Sequence, residues 1–385
     1  MRNIHFILIF LFAEFCFSQT IKGIVRDLNT NQPIESASIY FDQTTIGTST
    51  DNEGKFEIVK NENVNTPLVI SFLGYEKVRI EQYDSASYYK IYLEEAENEL
   101  DQVVISVDEG MSRERKLAEF KREFLGATKN GESCEILNED DLILRFNKKT
   151  KTLIADAYQS LRIKNEKLGY SITYDIGEFQ IDYAYVNIES ETYNVRNVYY
   201  EGTSFYESIL DVDKKTNKKR DEVYKGSILH FMRALKDEKL GDRGYQVFSR
   251  GFIVQPDKYI QVRPSIDSSL VDVRLRLPLS VLYDNEYQTD LKPKFINTSR
   301  ISTRKPLFKI GDTINLAKIR ALKITDTISI KSRSAQNSYY NTFIRIDNFG
   351  NFGPPSAFSF SGYMGTLRIG DTLPLDYKLN QTNTE

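Results

Sequence analysis

Residues 20–93 carry short runs of apolar residues that are separated by turn-forming residues at close intervals. The runs are rich in β-branched and aromatic side chains and lie at 21–26, 37–41, 55–59, 68–72, 77–80 and 88–93. Asparagine, aspartate and glycine punctuate them, as at 51–54. Short strands with regular turns and no helical periodicity are typical of an antiparallel β-sandwich. The pattern therefore predicts such a sandwich over residues 19–94.

The pattern changes in the larger remainder, where helical periodicity appears among the strands. Leu117, Phe120 and Phe124 recur at i, i+3 and i+7, which predicts a helix over 111–125. A second helix is predicted after Ser227, a good N-cap, with one apolar face formed by Ile228, Phe231, Met232 and Leu235. Strand-like runs fill much of the rest. We expect residues 115–377 to form a β-rich α+β region of one or two domains, followed by a polar tail at 378–385.

An acidic stretch at 94–99 and an apolar run at 100–106 lie between these two parts. We interpret residues 95–114 as a linker with one short strand. An alternative is that residues 100–106 pair with an exposed sheet edge of a partner protein.

The first 18 residues have the pattern of a cleavable export signal. Arg2 is followed by an apolar stretch at 4–12 that only His5 interrupts. This stretch is too short for a bilayer, which requires about 20 apolar residues. No later segment is apolar enough to cross a membrane. We therefore expect cleavage after Ser18 and a location in the periplasm or on the outer membrane or cell surface.

The composition excludes several kinds of chemistry. Without residues 1–18, the chain keeps one cysteine, Cys134, one histidine, His230, and no tryptophan. Zinc sites built on histidine pairs or cysteine clusters are excluded, and a nucleophilic triad would have to use His230. We predict no catalytic residue, metal or cofactor, although a hydrolase using an Asp/Glu pair remains open. The net charge of -3, with the basic residues spread along the chain, argues against nucleic-acid binding.

Three residues are candidate contacts for a ligand or partner. His230 and Arg233 lie one turn apart on the second predicted helix, on its polar side, and could together meet an anion or carboxylate. Glu207 could pair with them if the fold brings it close. The alternative is that His230 makes a surface contact and Arg233 an ordinary salt bridge.

Other polar segments are interpreted as ordinary surface. The stretch 211–220 begins with acidic residues but turns basic and lacks glycine, which favours a solvated loop over a calcium site. Residues 51–54 are interpreted as a turn. We expect the first helix to be solvated apart from its apolar stripe. Its acidic residues, among them Glu119, should therefore face solvent. Residues 309–314 and 368–373 are similar in sequence, as two hairpin-type turns would be.

The sandwich segment also carries a recognisable order of motifs: IKGIVRD at 21–27, PIESASI at 33–39, GTSTDNEGKF at 47–56 and ISFLGY at 70–75. This order resembles the carboxypeptidase regulatory-like domain, a transthyretin-like sandwich abundant in exported proteins of Bacteroidetes-type bacteria. The resemblance implies a fold without catalysis. Metallocarboxypeptidase activity is not implied, because its zinc site requires two histidines. Scattered blocks of 115–377 resemble the uncharacterised C-terminal region of such exported proteins.

The resemblance also suggests an envelope context. The acidic stretch and the valine-containing run at 94–106 are similar to the segment that follows this domain in SusC-like, TonB-dependent receptors. The roughly 280 residues that follow it here are too few for the β-barrel of such a receptor. We expect a non-catalytic interaction or binding module, with an envelope protein such as a TonB-dependent receptor as partner. The first alternative is a glycan- or peptide-binding protein with an aromatic cleft in 115–377. The second is a carboxylate-only hydrolase.

Overall fold

The computed structural model describes residues 19–60, 65–84, 86–96, 110–209, 212–265, 269–293, 295–296, 340–341, 343–354 and 357–379. The predictions for the export signal, for the turn at 309–314 and for most of the linker and tail therefore lie outside the described residues. At the ends of the linker, Glu95 forms an isolated bridge with Tyr75, and Met111 is buried. Among the described helices, none has the length and apolarity that a membrane crossing requires.

The N-terminal part is a sandwich of two sheets, as predicted. Its strands are β1 (Gln19–Asp27), β2 (Ser38–Phe41), β3 (Gly47–Ser49), β4 (Lys55–Lys60), β5 (Leu68–Ser71), β6 (Val78–Ile80) and β7 (Tyr88–Leu93). One sheet has the order β4-β1-β7 and the other β3-β2-β5-β6, and β1 pairs with β7 in parallel. Ile21, Ile39 and Ile91 are fully buried between the sheets. The alternation of apolar and polar positions thus places one face of each strand in the core.

The second part of the chain is built around a six-stranded sheet. Helix α1 (Arg113–Phe124) precedes β8 (Cys134–Ile136), β9 (Leu142–Asn147), β10 (Thr152–Ala157), β11 (Leu161–Asn165), β12 (Tyr170–Asn187) and β13 (Thr192–Ser208). The order is β8-β11-β12-β10-β9, with β13 along the other edge of β12. Phe120 and Phe124 of α1 are fully buried, which confirms the predicted apolar stripe.

The third part begins with helices α2 (Lys214–Tyr224) and α3 (Ile228–Lys236). It continues with β14 (Tyr245–Ser249), β15 (Phe252–Ile253), α4 (Pro256–Tyr259), β16 (Ile260–Pro264), β17 (Val271–Leu275), β18 (Leu279–Tyr283), β19 (Tyr287–Pro293), β20 (Phe295–Ile296), β21 (Tyr340–Asn341), β22 (Ile344–Ile346), β23 (Phe352–Gly353), β24 (Phe358–Gly362) and α5 (Tyr363–Thr366). Two sheets, β15-β14-β18-β19-β24 and β16-β17-β22-β23, contribute to one core with α3; β20 and β21 pair separately. The predicted Ser227 cap is confirmed, because its hydroxyl accepts from the His230 amide.

Helix α2 corrects the interpretation of 211–220 as a solvated loop. Asp213 caps the helix by accepting from the Thr216 amide at 2.6 Å. Arg220 is buried, donates to the Leu168 carbonyl at 2.8 Å and stacks on Tyr170. The helix has few apolar residues, so its sequence lacks the periodicity that predicts burial.

The segment 368–373 is also not the hairpin turn that its sequence suggests. Residues Ile369–Asp371 form a buried 3₁₀ turn against the second part of the chain. The Asp371 carboxylate accepts from Thr128 and Asn130 at 2.8 Å. Gly370 allows this close packing, because a Cβ there would lie 2.4 Å from the Gly131 Cα.

The sandwich packs against the rest of the chain. Tyr40 of β2 stacks on Phe205 of β13, with ring centroids 5.0 Å apart, and Asp42 accepts from the Ser204 amide at 2.8 Å. Leu375 lies in the sandwich core. The sandwich and the other two parts therefore share buried surface.

Candidate functional site

His230 lies inside the protein and not on a polar helix face. Its side chain is surrounded by the rings of Tyr224, Tyr245 and Tyr283. Its Nδ1 accepts a hydrogen bond from the Gly226 amide at 3.1 Å. Burial, with smaller contributions from nearby cations, lowers the pKa of His230 to about 4. The imidazole is therefore neutral near pH 7 and belongs to an aromatic cluster.

Arg233 makes neither the expected salt bridge nor an open anion site. Its guanidinium donates to the carbonyls of Phe349, Leu375 and Tyr377 at 2.8, 2.7 and 2.9 Å. Glu207 lies exposed on β13, opposite Ser171, and no hydrogen bond or ion pair of the described residues joins it to His230 or Arg233. The structure thus does not gather the three candidate residues into one site. The helical spacing of His230 and Arg233 was misleading, because their polar groups form hydrogen bonds inside the protein and not with a ligand at the surface.

A different site lies where the sandwich meets the third part of the chain. It is a cavity of about 540 Å³, lined by Lys60 and Tyr83 from the sandwich side and by Arg345, Asp347 and Asn351 from the segment around β22 and β23. The lining is dominated by polar and charged side chains. A cavity of this size is within the range of small-ligand sites.

Asp347 is the most unusual residue of this cavity. It follows β22 directly, and its Oδ1 accepts from the amides of Phe349 and Asn351 at 2.8 and 2.9 Å. Gly350 completes the tight turn with a φ of +85°. The residue is only 2% exposed, and its Oδ2 has no hydrogen-bond partner among the described residues. The turn therefore satisfies one carboxylate oxygen and leaves the other buried without a hydrogen-bond partner among the described residues.

Burial raises the pKa of Asp347 to about 6, although hydrogen bonds from Asn351, Phe349 and Gly350 act in the opposite direction. The ordinary pKa of an aspartate is near 4, so the folded protein binds this proton more tightly than the unfolded chain does. Stability from this group is consequently highest at low pH and falls as the pH rises from about 4 to about 6.

Replacement of Asp347 by asparagine should remove this pH dependence. The variant keeps the oxygen that accepts from Phe349 and Asn351 but cannot ionise. Between pH 4 and pH 7 the wild type should lose about 1–3 kcal/mol of unfolding free energy relative to the variant, because only the wild type ionises at this position. Urea denaturation across this pH range measures the difference. A difference that stays constant with pH would contradict the assignment of a buried titrating carboxylate.

The charges around the cavity are balanced. Lys60 and Arg345 face Glu81 and Asp347, and these four are its charged lining residues. The Arg345 Nε lies 3.3 Å from an oxygen of Asp272, and its side chain is 66% exposed. Glu81 is exposed and pairs with an arginine of β6 at 2.8 Å. The buried Asp347 is thus set apart from the others by its unsatisfied oxygen.

This cavity is not the aromatic cleft that was expected in 115–377, because few of its lining residues are aromatic. Tyr83 and Phe352 are its aromatic lining residues, and Tyr83 comes from the sandwich. Many tyrosines fill cores instead, including Tyr174, Tyr183 and Tyr245. The sequence around 347–353 gives no sign of this site, because nothing in its composition reports that Asp347 is buried.

In the described part of the chain, no group of three or more His, Cys, Asp or Glu side chains is arranged to hold a metal ion. Cys134 is half-buried, and its thiol donates to the Asn130 carbonyl at 3.3 Å. Burial raises the pKa of this thiol to about 12, so it is protonated near neutral pH.

The sandwich and its motifs define a known class of domain. Residues 21–105 match the family of the CarboxypepD_reg-like domain, and the N-terminal sandwich is a member of it.

A stretch about as long as the matched residues 21–105 is also similar to part of a known receptor. A stretch of 86 residues is 33% identical to part of the TonB-dependent receptor SusC of Bacteroides thetaiotaomicron, and the match covers 22% of this chain and 8% of the receptor. The chain therefore spans a small fraction of that relative, and the likeness does not extend to the receptor as a whole.

Proposed function

We propose that the protein is an exported, non-catalytic binding module of the bacterial envelope, in the periplasm or at the outer membrane or cell surface. Its ligand would occupy the cavity between the sandwich and β22–β23. Support for the envelope comes from the signal-like N-terminus and from the similarity to a receptor. The observation that carries the binding function is the buried, half-satisfied carboxylate of Asp347.

A buried carboxylate oxygen without a partner is unfavourable for folding. Leaving such a group unpaired costs on the order of 1–3 kcal/mol, and more when it is charged. Unfavourable groups of this kind cluster at functional sites, where a ligand supplies the missing interaction. Asp347 is also one of the residues that line a cavity of about 540 Å³.

The test is a thermal-shift screen of the intact protein with sugars, organic acids, amines, amino acids and short peptides. A compound that binds only the native state raises the unfolding temperature, and the rise grows with the ratio of its free concentration to its dissociation constant. We expect at least one compound to stabilise the wild type and Asp156→Asn, whose position is exposed on β10, but not Asp347→Asn. If no class stabilises the protein, or if the shift survives in Asp347→Asn, the proposed site is wrong.

A carboxylate-only hydrolase is the second candidate, and one observation favours it. Glu81 and Asp347 line the same cavity, and Asp347 has the raised pKa that suits a general acid. We favour binding because Glu81 is held by an arginine at the exposed rim. Incubation of each stabilising compound with the protein, followed by mass spectrometry, should show no conversion. Conversion that requires both Glu81 and Asp347 would establish the enzyme instead.

We further propose that an envelope protein such as a TonB-dependent receptor is the partner of this module. The similarity of 86 residues to SusC supports this proposal. Mild crosslinking of intact cells and mass spectrometry of the captured material should recover such a receptor reproducibly. Recovery of the protein without a receptor would count against it.

A further inference from the structure

An exposed apolar hairpin lies at the edge of the sheet β15-β14-β18-β19-β24. Phe252 is 76% exposed and Ile253 is 70% exposed. Among the large apolar side chains that the described part of the chain leaves exposed, these are the only two that are adjacent in sequence. Single exposed apolar residues are ordinary, whereas adjoining ones mark a surface that contacts something other than water.

The backbone of this hairpin is well defined. β14 and β15 are joined by a two-residue loop, Arg250 and Gly251. Their φ angles of +51° and +84° are both positive, as a type I′ turn requires. The Val254 amide donates to the Val247 carbonyl at 2.9 Å and closes the ladder behind the apolar pair. The fold therefore presents the two side chains at a fixed place.

The connection between β17 and β18 extends the apolar surface. Leu277 is 43% exposed, and Pro278 beside it is exposed as well. Both line a groove of about 450 Å³ together with Arg250 of the hairpin loop. Phe252, Ile253, Leu277 and Pro278 thus form one apolar patch at this end of the sheet.

Basic side chains surround the apolar patch. Arg250 and Lys292 are exposed and line the same groove. Arg276 directly precedes the apolar connection, and its guanidinium donates to the Lys258 carbonyl at 3.0 Å. Arg276 and Lys258 are both exposed. These four cations form a basic rim.

Nearby acidic residues do not cancel the charge of the basic rim. Asp290 lines the groove and accepts from the Ser280 hydroxyl at 2.6 Å, and Asp257 is exposed on α4. Four cations and two carboxylates leave a local excess of two positive charges, although the whole chain carries a net charge of -3. The patch is therefore apolar at its centre and positively charged around it.

This combination matches the surface of an anionic lipid bilayer. Exposed aromatic and aliphatic side chains enter the boundary between headgroups and acyl chains, and cations are attracted to anionic headgroups. A second copy of the chain fits less well, because a symmetric contact would bring the basic rim of each copy against that of the other. Only a few apolar residues would insert, so the contact would be reversible.

We infer that the hairpin Phe252-Ile253 docks on the anionic surface of a lipid bilayer, with the basic rim against the headgroup phosphates. The inference goes beyond the proposed function, because it specifies how the module is held at the envelope. It does not depend on the cavity around Asp347, which is formed by other residues.

A fluorescent reporter tests the inference directly, because the chain contains no tryptophan. Phe252→Trp in the full chain should show an emission shift to shorter wavelength with vesicles of equimolar phosphatidylcholine and phosphatidylglycerol. Brominated acyl chains in these vesicles should quench the emission. Tyr158→Trp, at an exposed position between β10 and β11, is the control and should show neither effect.

Sedimentation with the same vesicles measures the partition coefficient. The double variant Phe252→Ser/Ile253→Ser should lower it at least about tenfold, whereas Leu73→Ser, at an exposed position of the sandwich, should not change it. Arg250→Asn combined with Lys292→Gln should lower it at least about fivefold. Asparagine is used at 250 because it tolerates a positive φ.

Several outcomes would overturn the inference. The lipid assignment is wrong if the emission of Phe252→Trp stays unchanged with vesicles, or if the double serine variant binds them as well as the wild type. A shift that appears with rising protein concentration and no vesicles would show that a second copy covers the patch. Equal binding to pure phosphatidylcholine vesicles would remove the role of the basic rim. A folding defect of the serine variant would leave the reporter result decisive, because tryptophan keeps position 252 apolar and aromatic.

Discussion

Arg233→Ala should unfold at a markedly lower urea concentration than the wild type, with a loss of about 3–5 kcal/mol in unfolding free energy. The guanidinium joins α3 to the carbonyls of Phe349, Leu375 and Tyr377, all of which are buried residues. Alanine would leave these three acceptors without their charged donor. The loss should be large because each unsatisfied buried acceptor carries its own desolvation cost.

Two further variants test whether the loss of stability comes from the hydrogen bonds of the Arg233 guanidinium. Arg233→Lys should recover only part of the stability, because an ammonium group lacks the planar fork that reaches several carbonyls at once. Arg196→Ala removes an exposed arginine on β13 and should change stability by less than about 0.5 kcal/mol. If Arg233→Ala and Arg196→Ala unfold alike, the role of Arg233 in holding the last described segment is wrong.

Glu119→Ala should be the second strongly destabilised variant, with a loss of about 2–4 kcal/mol. The carboxylate is only 1% exposed and accepts from Arg115 at 2.8 Å, from Arg122 at 2.7 Å and from the Tyr183 hydroxyl at 3.2 Å. Alanine would leave the tyrosine hydroxyl buried without its acceptor. The two arginines are partly exposed and can turn to water, which keeps the expected loss below that of a fully buried pair.

Chemical denaturation of a matched pair checks the cause. Glu119→Gln keeps the shape and one acceptor oxygen, so it should lose about half as much as the alanine variant. Glu135→Ala changes an exposed position on β8 and serves as the control. Equal stability of Glu119→Ala and Glu135→Ala would show that the buried cluster contributes nothing measurable.

The sandwich was the part of the fold that the sequence predicted best. Period-two alternation and frequent turn residues are local properties, and Ile21, Ile39 and Ile91 lie where this alternation places them. The two predicted helices, α1 and α3, were also correct because their apolar residues recur at helical spacing.

The errors have one physical origin, which is burial of polar groups by distant parts of the chain. Glu119 and His230 are polar in sequence and buried in the structure, because side chains from other elements, such as Tyr183 and Tyr245, pack against them. The burial of Asp347 at the candidate site could not be predicted from the sequence either. Its neighbours Asn348 and Gly350 indicate a turn, but the cavity is formed with strands of the sandwich that lie more than 200 residues earlier. Only the three-dimensional structure reveals that one of its oxygens lacks a partner.

The packing of residues 369–377 implies an order of events during folding. Asp371 binds Thr128 across 243 positions, and Asp376 receives the Thr45 amide across 331. Contacts this distant in sequence close large loops and slow folding. The first half of the chain is synthesised earlier, yet these acceptors for Thr128 and Thr45 arrive only with residues 371 and 376. A truncation before that residue should therefore damage the early sheets first, although they are far from the cut in sequence.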